Sequence, residues 1–244
     1  MTYLVVGASA GLGREVARRL AARKSDLVIV SSDRRDLEVM ASDLAIRHRV
    51  KVETVEADLG AADPCLQRLV EAIQRLGRLD GLIFTAGANL PDDDLTLEFE
   101  QAQRLLRINF QSIVYITAEL LPLLRNSPGA SITAFGSVAA LRGRRRNIYY
   151  SCAKRALQSF FESLRHSLVG AGIATQFYVV GYLATNLAFG IPTPLPKADP
   201  EAFSAKILAN LNKDMGVVYY PWYWKYLGTI VRMTPWSVFR RLDF

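Results

Sequence analysis

Cysteine and histidine are scarce in this sequence, two of each among 244 residues. Cys65 and Cys152 form no CxxC pair, and His48 and His166 form no cluster, so neither a zinc site nor a disulfide-built miniprotein is expected. The same scarcity fits a reduced, cytoplasmic setting. Long uninterrupted apolar runs are lacking too. Residues 167–196 carry no formal charge, but Gly170, Gly172, Gln176, Gly181, Asn186, Gly190, Pro192 and Pro194 break them repeatedly. A buried strand followed by a loop is expected there, not a membrane span. No secretory leader is expected either, because Tyr3–Val6 runs straight into a glycine-rich turn.

What the chain does have is half hydrophobic residues, 22% charged residues and a formal charge of +7. That composition suits one globular domain with a sizeable core and excludes disorder. The positive balance points to acidic partners: phosphate-bearing small molecules, anionic lipid or nucleic acid. No nucleic-acid reading module is recognisable, so that partner is set aside.

Short apolar runs alternate with segments of helical period. Strands are predicted at 3–6, 27–30, 50–57, 81–85, 130–135 and 173–180, and helices from Leu12 and over 37–47, 66–76, 101–124, 149–168 and 200–211. Val, Ile, Leu and Phe fill the strands without polar alternation, as in a parallel sheet covered on both faces. The proline-rich segment 191–196 reads as an irregular loop over a cleft. From Gly216 the composition changes: 9 of the chain's 24 aromatic residues and all three tryptophans follow, with Lys225, Arg232, Arg240 and Arg241.

Two constellations carry chemistry. Gly7-Ala-Ser-Ala-Gly11-Leu-Gly13 follows the first strand and opens the first helix, where glycines permit a tight turn and close approach of backbone amides to a diphosphate. A plain strand-to-helix turn would use the same residues. Ser137 follows the fifth strand, and Tyr150 and Lys154 stand four apart on one face of the next helix. An ammonium near a phenol favours phenolate and brings the group toward useful acid–base chemistry. The alternative is an exposed Tyr/Lys pair.

Taken in order, these motifs resemble the short-chain dehydrogenase/reductase family over about residues 2–220. The resemblance implies a Rossmann-like, doubly wound parallel sheet over residues 1–220, with an aromatic and basic extension over 221–244 packed on it or lying at a membrane surface. It implies an NAD(P)H-dependent oxidoreductase working between a CH–OH group and a ketone, with Asn109, Ser137, Tyr150 and Lys154 as the catalytic tetrad. Tyr150 would donate the proton, Ser137 would hold the substrate oxygen, and Asn109 would hold a water beside Lys154. The cofactor set carried over is Gly7, Ser9, Ala10, Gly11, Leu12, Gly13, Ser31, Ser32, Asp58, Leu59, Ala86, Gly87, Tyr150, Lys154, Gly181 and Thr185. Dimers or tetramers built on the long helices are also implied.

The chain departs from the family pattern at Val6, Thr85 and Val180, where Thr, Asn and Pro are usual. Ser31 ends the second strand in place of the acid that bonds a ribose 2′-hydroxyl, which favours NADPH slightly over NADH. Arg34 or Arg35 could reach a 2′-phosphate, or serve as solvated charges at a helix entry.

Arg142-Gly-Arg144-Arg145-Arg146 lies between Ser137 and Tyr150, so the cluster sits near the cleft. Either it meets an anionic substrate, with Arg144 the contact, or it is a solvated loop. Phe189 and Leu195 line a substrate loop or close the core, and Cys152 is expected to pack against the sheet. The tail suits a bilayer interface, or packing within the chain or a dimer. The Arg segment and the tail further resemble family members that reduce a 2-keto-furanose linked through phosphate to a polyprenyl chain. A small-molecule or lipid-linked ketone is therefore the expected substrate, with peripheral contact at the cytoplasmic membrane face. A soluble ketone, a 3-oxoacyl group or a steroid-like substrate is the alternative, and a silent nucleotide-binding regulator is disfavoured by the intact tetrad.

Overall fold

The computed structural model describes residues 1–63, 65–185, 193 and 195–242. Its chain alternates strand and helix: β1 (Thr2–Val6), α1 (Gly11–Ala22), β2 (Asp26–Ser31), α2 (Arg34–His48), β3 (Val52–Glu56), α3 (Leu66–Leu76) and β4 (Gly81–Phe84). Then come α4 (Phe99–Leu106), a π-helical turn (Arg107–Gln111), α5 (Ser112–Arg125), β5 (Ser131–Ser137), α6 (Ile148–Ser167), β6 (Ala174–Val180), α7 (Pro200–Ala209), β7 (Gly216–Tyr220), α8 (Trp224–Met233) and α9 (Trp236–Phe239).

The seven strands form one parallel sheet in the order β3-β2-β1-β4-β5-β6-β7. Strand order reverses beside β1, the place where such sheets open a crevice at their carboxyl edge. Register aligns that edge: Val6 faces Val30 and Phe84, and Val180 faces Ser137 and Tyr220. Every residue of β1, β4 and β6 is buried, which explains the continuous apolar runs. One apolar core, including Leu69, Ile116, Leu120, Leu157 and Phe161, covers one face. The other, including Val16, Leu20, Leu37, Leu44, Phe203 and Ile207, covers the opposite face.

Local sequence explains several boundaries. Asp33 caps α2 by accepting from the Asp36 amide, and Asp199 caps α7 just before Pro200. Two elements depart from the predicted pattern. The helix expected over 101–124 starts at Phe99 and is interrupted by the π turn, one extra residue per turn that periodicity does not reveal. The first residues of the aromatic tail form the seventh strand, whose Tyr220 ring stacks on Phe203 at 3.9 Å.

Beyond β7, the tail packs back on the body. Arg142 donates to the carbonyls of Val231 (2.8 Å) and Thr234, and its guanidinium lies 3.9 Å from the Phe239 ring centre. Among the described residues no helix is long and apolar enough to cross a membrane.

Candidate active site

The glycine turn sits at the carboxyl edge of β1. Gly7 has φ +90°, and a Cβ there would lie 2.5 Å from the Ala86 nitrogen; one on Gly13 would collide with the Gly7 carbonyl. The turn is thus pressed against Ala86, and Thr85 fastens it by donating to the carbonyls of Val6 (2.8 Å) and Gly7 (3.1 Å). The unexpected Thr85 is therefore a tie between β4 and the turn. Gly11 instead faces the methyl of Thr185 across space that a Cβ would fill at 3.2 Å. Ala10 offers no side-chain cap to α1, leaving its first amides directed at that space, as a diphosphate requires. Leu12 is buried beneath them.

At the end of β2, the Ser31 hydroxyl donates to Ser9 Oγ at 2.8 Å, and Ser32 is exposed. Arg14, which sequence reasoning passed over, bonds the Ser9 carbonyl and lies 3.6 Å from Asp36. Arg34 is engaged with Glu38 at 2.7 Å on the outside of α2. Asp58 accepts both arms of Arg104 at 2.8 and 2.9 Å, and the Gly60 amide at 2.9 Å. The Arg104 hydrogen bonds, joined by that of Gly60, outweigh desolvation and hold the Asp58 carboxyl below its usual range. Leu59 is buried, its carbonyl accepting from Ser112 at 2.7 Å.

Ser137, Tyr150 and Lys154 converge. The Ser137 hydroxyl accepts from the Ala139 amide at 3.1 Å and lies close enough to the Tyr150 phenol to lower its pKa. Lys154 is buried; its ammonium donates to the Phe135 carbonyl at 3.1 Å and lies 5.9 Å from the Tyr150 ring centre. Burial pulls its pKa down to about 8. Burial pushes the Tyr150 phenol up, opposed by the Ser137 hydrogen bond and the charge of Arg144. The cation that acts on the phenol is thus Arg144 from the loop, whereas Lys154, which the Tyr/Lys spacing singled out for that part, is not among the groups that shift it.

Asn109 occupies the π turn. Its amide donates to the carbonyls of Ala88 (2.8 Å) and Leu105 (3.0 Å), and its oxygen accepts from the Ala88 amide at 3.3 Å. The side chain binds the β4 exit to the helix and is engaged with backbone. A Cβ on the exposed Gly87 would lie 3.2 Å from Asn109 Oδ1 and 3.5 Å from Lys154 Nζ, so both groups border one spot.

The buried Asp93 was invisible to motif reasoning. Asn147, before α6, has left-handed backbone and gives no side-chain cap. Asp93 substitutes for it from another loop, accepting the amides of Tyr149 and Tyr150 at 2.8 Å each. A carboxylate thereby anchors the turn that carries the phenol.

The Arg cluster separates into three roles. Arg142 clamps the tail, while Arg145 and Arg146 are exposed. Arg144 is half-buried, its Nε buried without a hydrogen-bond partner among the described residues, and Tyr182, Tyr150 and Asp93 lie within its electrostatic reach. Trp224 of α8 walls the same region: its indole covers Gly181, where any Cβ would strike it, and meets the Tyr182 ring at 5.7 Å. Its Nε1 is likewise buried without a hydrogen-bond partner among the described residues. One correction follows. Cys152 is exposed, because α6 turns that position outward while Ser151, Ala153 and Lys154 face inward. Trp224 sets the tail directly over Gly181, at the end of β6. Phe189 lies outside the described residues; Leu195 is half-buried.

A glycine cradle thus lies at the crevice of a parallel sheet, with a phenol, a hydroxyl and a buried ammonium on its rim. A profile of the family described as short chain dehydrogenase matches residues 1–193, and the chain belongs to that family. It is similar to 11-beta-hydroxysteroid dehydrogenase 1A of Arabidopsis thaliana, 33% identical over 188 residues covering 77% of this chain and 53% of that protein. The hydroxysteroid 11-beta-dehydrogenase 1-like protein of Macaca fascicularis is 29% identical over 241 residues, 95% of this chain and 82% of its own. An uncharacterized oxidoreductase of Myxococcus xanthus is 30% identical over 196 residues, 80% of this chain and 77% of its own. The chain spans about half the length of the Arabidopsis relative.

The residues fit the NAD(P) that the family implies. Gly11 keeps the amino end of α1 free of a side chain that would crowd Thr185, and β2 ends on a serine hydroxyl, not a carboxylate.

Proposed function

We propose that this protein is an NAD(P)H-dependent reductase of a ketone carried on an anionic, phosphate-linked substrate. The observation that carries it is the half-buried Arg144, whose unpartnered Nε and positive charge sit beside the Tyr150 phenol. A desolvated cation that forms no ion pair among the described residues, with Asp93 acting on it only at a distance, is costly unless an anion completes it. Bound nicotinamide supplies or accepts the hydride. Ser137 Oγ orients the ketone oxygen, and the Tyr150 phenol donates the proton to it. Lys154 holds a positive charge beneath the phenol, while Asp93 and Asn109 fix the segments that carry these groups. The hydroxyl pair of Ser9 and Ser31, with Arg14 nearby, favours NADPH slightly over NADH.

Within the family, the segments Ile108-Asn109-Phe110, 144–154 and 218–242 resemble the keto-reductase component of decaprenylphosphoryl-ribose 2-epimerase. On that reading the substrate is a polyprenyl-phosphate-linked 2-keto-furanose, Arg144 meets the phosphate, and residues 221–244 form an extension completing a catalytic unit of 1–220. A homodimer or homotetramer is part of the same reading. The names of the similar relatives favour a second one, a steroid-like ketone, which carries no charge to match Arg144.

Initial rates with NADPH and NADH against a polyprenyl-phosphoryl 2-keto-pentofuranose, a steroid ketone and simple neutral ketones test the choice. The expected result is reduction of the phosphate-linked ketone, with Arg144→Met raising its KM about tenfold or more, while for neutral ketones the KM holds and only kcat changes, through the phenol on which Arg144 acts. Preference for the steroid, with no effect of Arg144→Met, overturns the reading.

A further inference from the structure

We propose that the outer face of α8 and the turn into α9 form a docking surface for an anionic lipid bilayer. Tyr226, Ile230 and Met233 of α8, spaced four and three apart, fall on one helical stripe and are 62%, 63% and 76% exposed, and Trp222 in the turn before α8, 69% exposed, extends it with its ring 6.0 Å from that of Tyr226. Trp236 continues the stripe at 67% exposure. The opposite side of the same helix buries Trp224 and Gly228 against Gly181 and Leu141. A helix on a globular surface normally turns one apolar face inward and a polar face outward. This one is apolar on both sides, so its outer face is built for a second apolar environment.

Charge selects the occupant. Residues 216–244 include the four cations Lys225, Arg232, Arg240 and Arg241 against a single acidic residue, Asp243. None of these four cations is ion-paired among the described residues. A second copy seated on the stripe by two-fold symmetry would bring cation against cation. An anionic headgroup layer complements them, while indole and phenol rings favour its boundary with the acyl chains. With ten residues α8 is far too short to span, so it would lie in the plane of the surface. The inner face of α8 walls the cleft through Trp224, so docking would present the cleft to the bilayer. The inference stands on the stripe and its charges, not on the identity of the ketone.

The test uses the full chain and sucrose-loaded phosphatidylcholine vesicles with or without roughly a third phosphatidylglycerol. All three tryptophans lie in the tail and report the contact by fluorescence. The expected result is sedimentation with anionic vesicles and a blue-shifted emission. The triple variant Trp222→Ser/Ile230→Ser/Met233→Ser should lose about tenfold or more of vesicle affinity with an unchanged melting temperature. Ile46→Ser, at an 80% exposed position on α2, should bind as the parent does. Charge reversal by Lys225→Glu/Arg240→Glu, which spares the apolar stripe, should abolish the preference for phosphatidylglycerol. The proposal is overturned if the parent chain does not sediment, if the triple variant sediments equally, or if charge reversal leaves the lipid preference intact. Self-association of the parent that the triple variant abolishes also overturns it, assigning the stripe to a second copy. Vesicle binding without turnover of the phosphate-linked ketone would contradict only the substrate reading.

Discussion

Replacing Lys154 by Met is expected to abolish turnover and stabilise the fold, because the buried ammonium is a folding liability. Its pKa falls from 10.5 to about 8 on burial. At about 1.4 kcal/mol per unit, that difference amounts to about 3 kcal/mol at neutral pH. Methionine fills nearly the same volume without a charge but gives up the hydrogen bond to the Phe135 carbonyl, worth about 1 kcal/mol. The variant should therefore be about 2 kcal/mol more stable than the parent at neutral pH. Between the two pKa values the unfolded chain binds more protons than the folded one, so this penalty is fully present below about pH 8 and fades toward pH 10.5. The gain should accordingly vanish in alkaline buffer. Urea unfolding followed by circular dichroism, at neutral pH and near pH 10, reads both effects as midpoint shifts at constant slope. A variant less stable than the parent at neutral pH, or a difference independent of pH, would refute the reasoning.

Other substitutions address the neighbouring groups. Tyr150→Phe should lower kcat by about 100-fold or more while the nucleotide dissociation constant, measured by calorimetry, stays within a few-fold. Asp93→Ala removes the acceptor for two amides at the start of α6 and should cost about 2 kcal/mol of stability, visible in the urea midpoint. Its kcat should fall about tenfold, with Asp93→Asn recovering part of both losses, since the amide keeps one acceptor.

Much of this architecture was legible because the sheet is built locally. Strands such as Tyr3–Val6 and Gly81–Phe84 are continuous apolar runs, and each lies beside its covering helices in sequence. Ser137, Tyr150 and Lys154 were readable for the same reason, being fixed to the end of one strand and the first turns of one helix. Features that depend on distant contacts were not. Asp93 caps α6 from 56 and 57 positions away, and no local spacing announces a cap supplied by another loop. The π turn at Asn109 leaves the helical hydrophobic pattern nearly intact. Four arginines in five residues look alike in sequence. Their fates separate only because Arg142 meets the carbonyls of α8 and Phe239 while Arg144 turns into the cleft. Trp224 read as one aromatic among many, because its contact with Gly181 exists only once β7 has brought the tail alongside β6.

The grip of Arg142 on Val231, Thr234 and Phe239 ties the loop bearing Arg144 to the last helices of the protein. Those helices thereby splint that loop from behind. Removing them would strand a guanidinium and strip the indole from Gly181, loosening the pocket even for a freely dissolved substrate. A shortened enzyme would fail mechanically, which is why point changes on the outer stripe, and not amputation, separate attachment to lipid from chemistry.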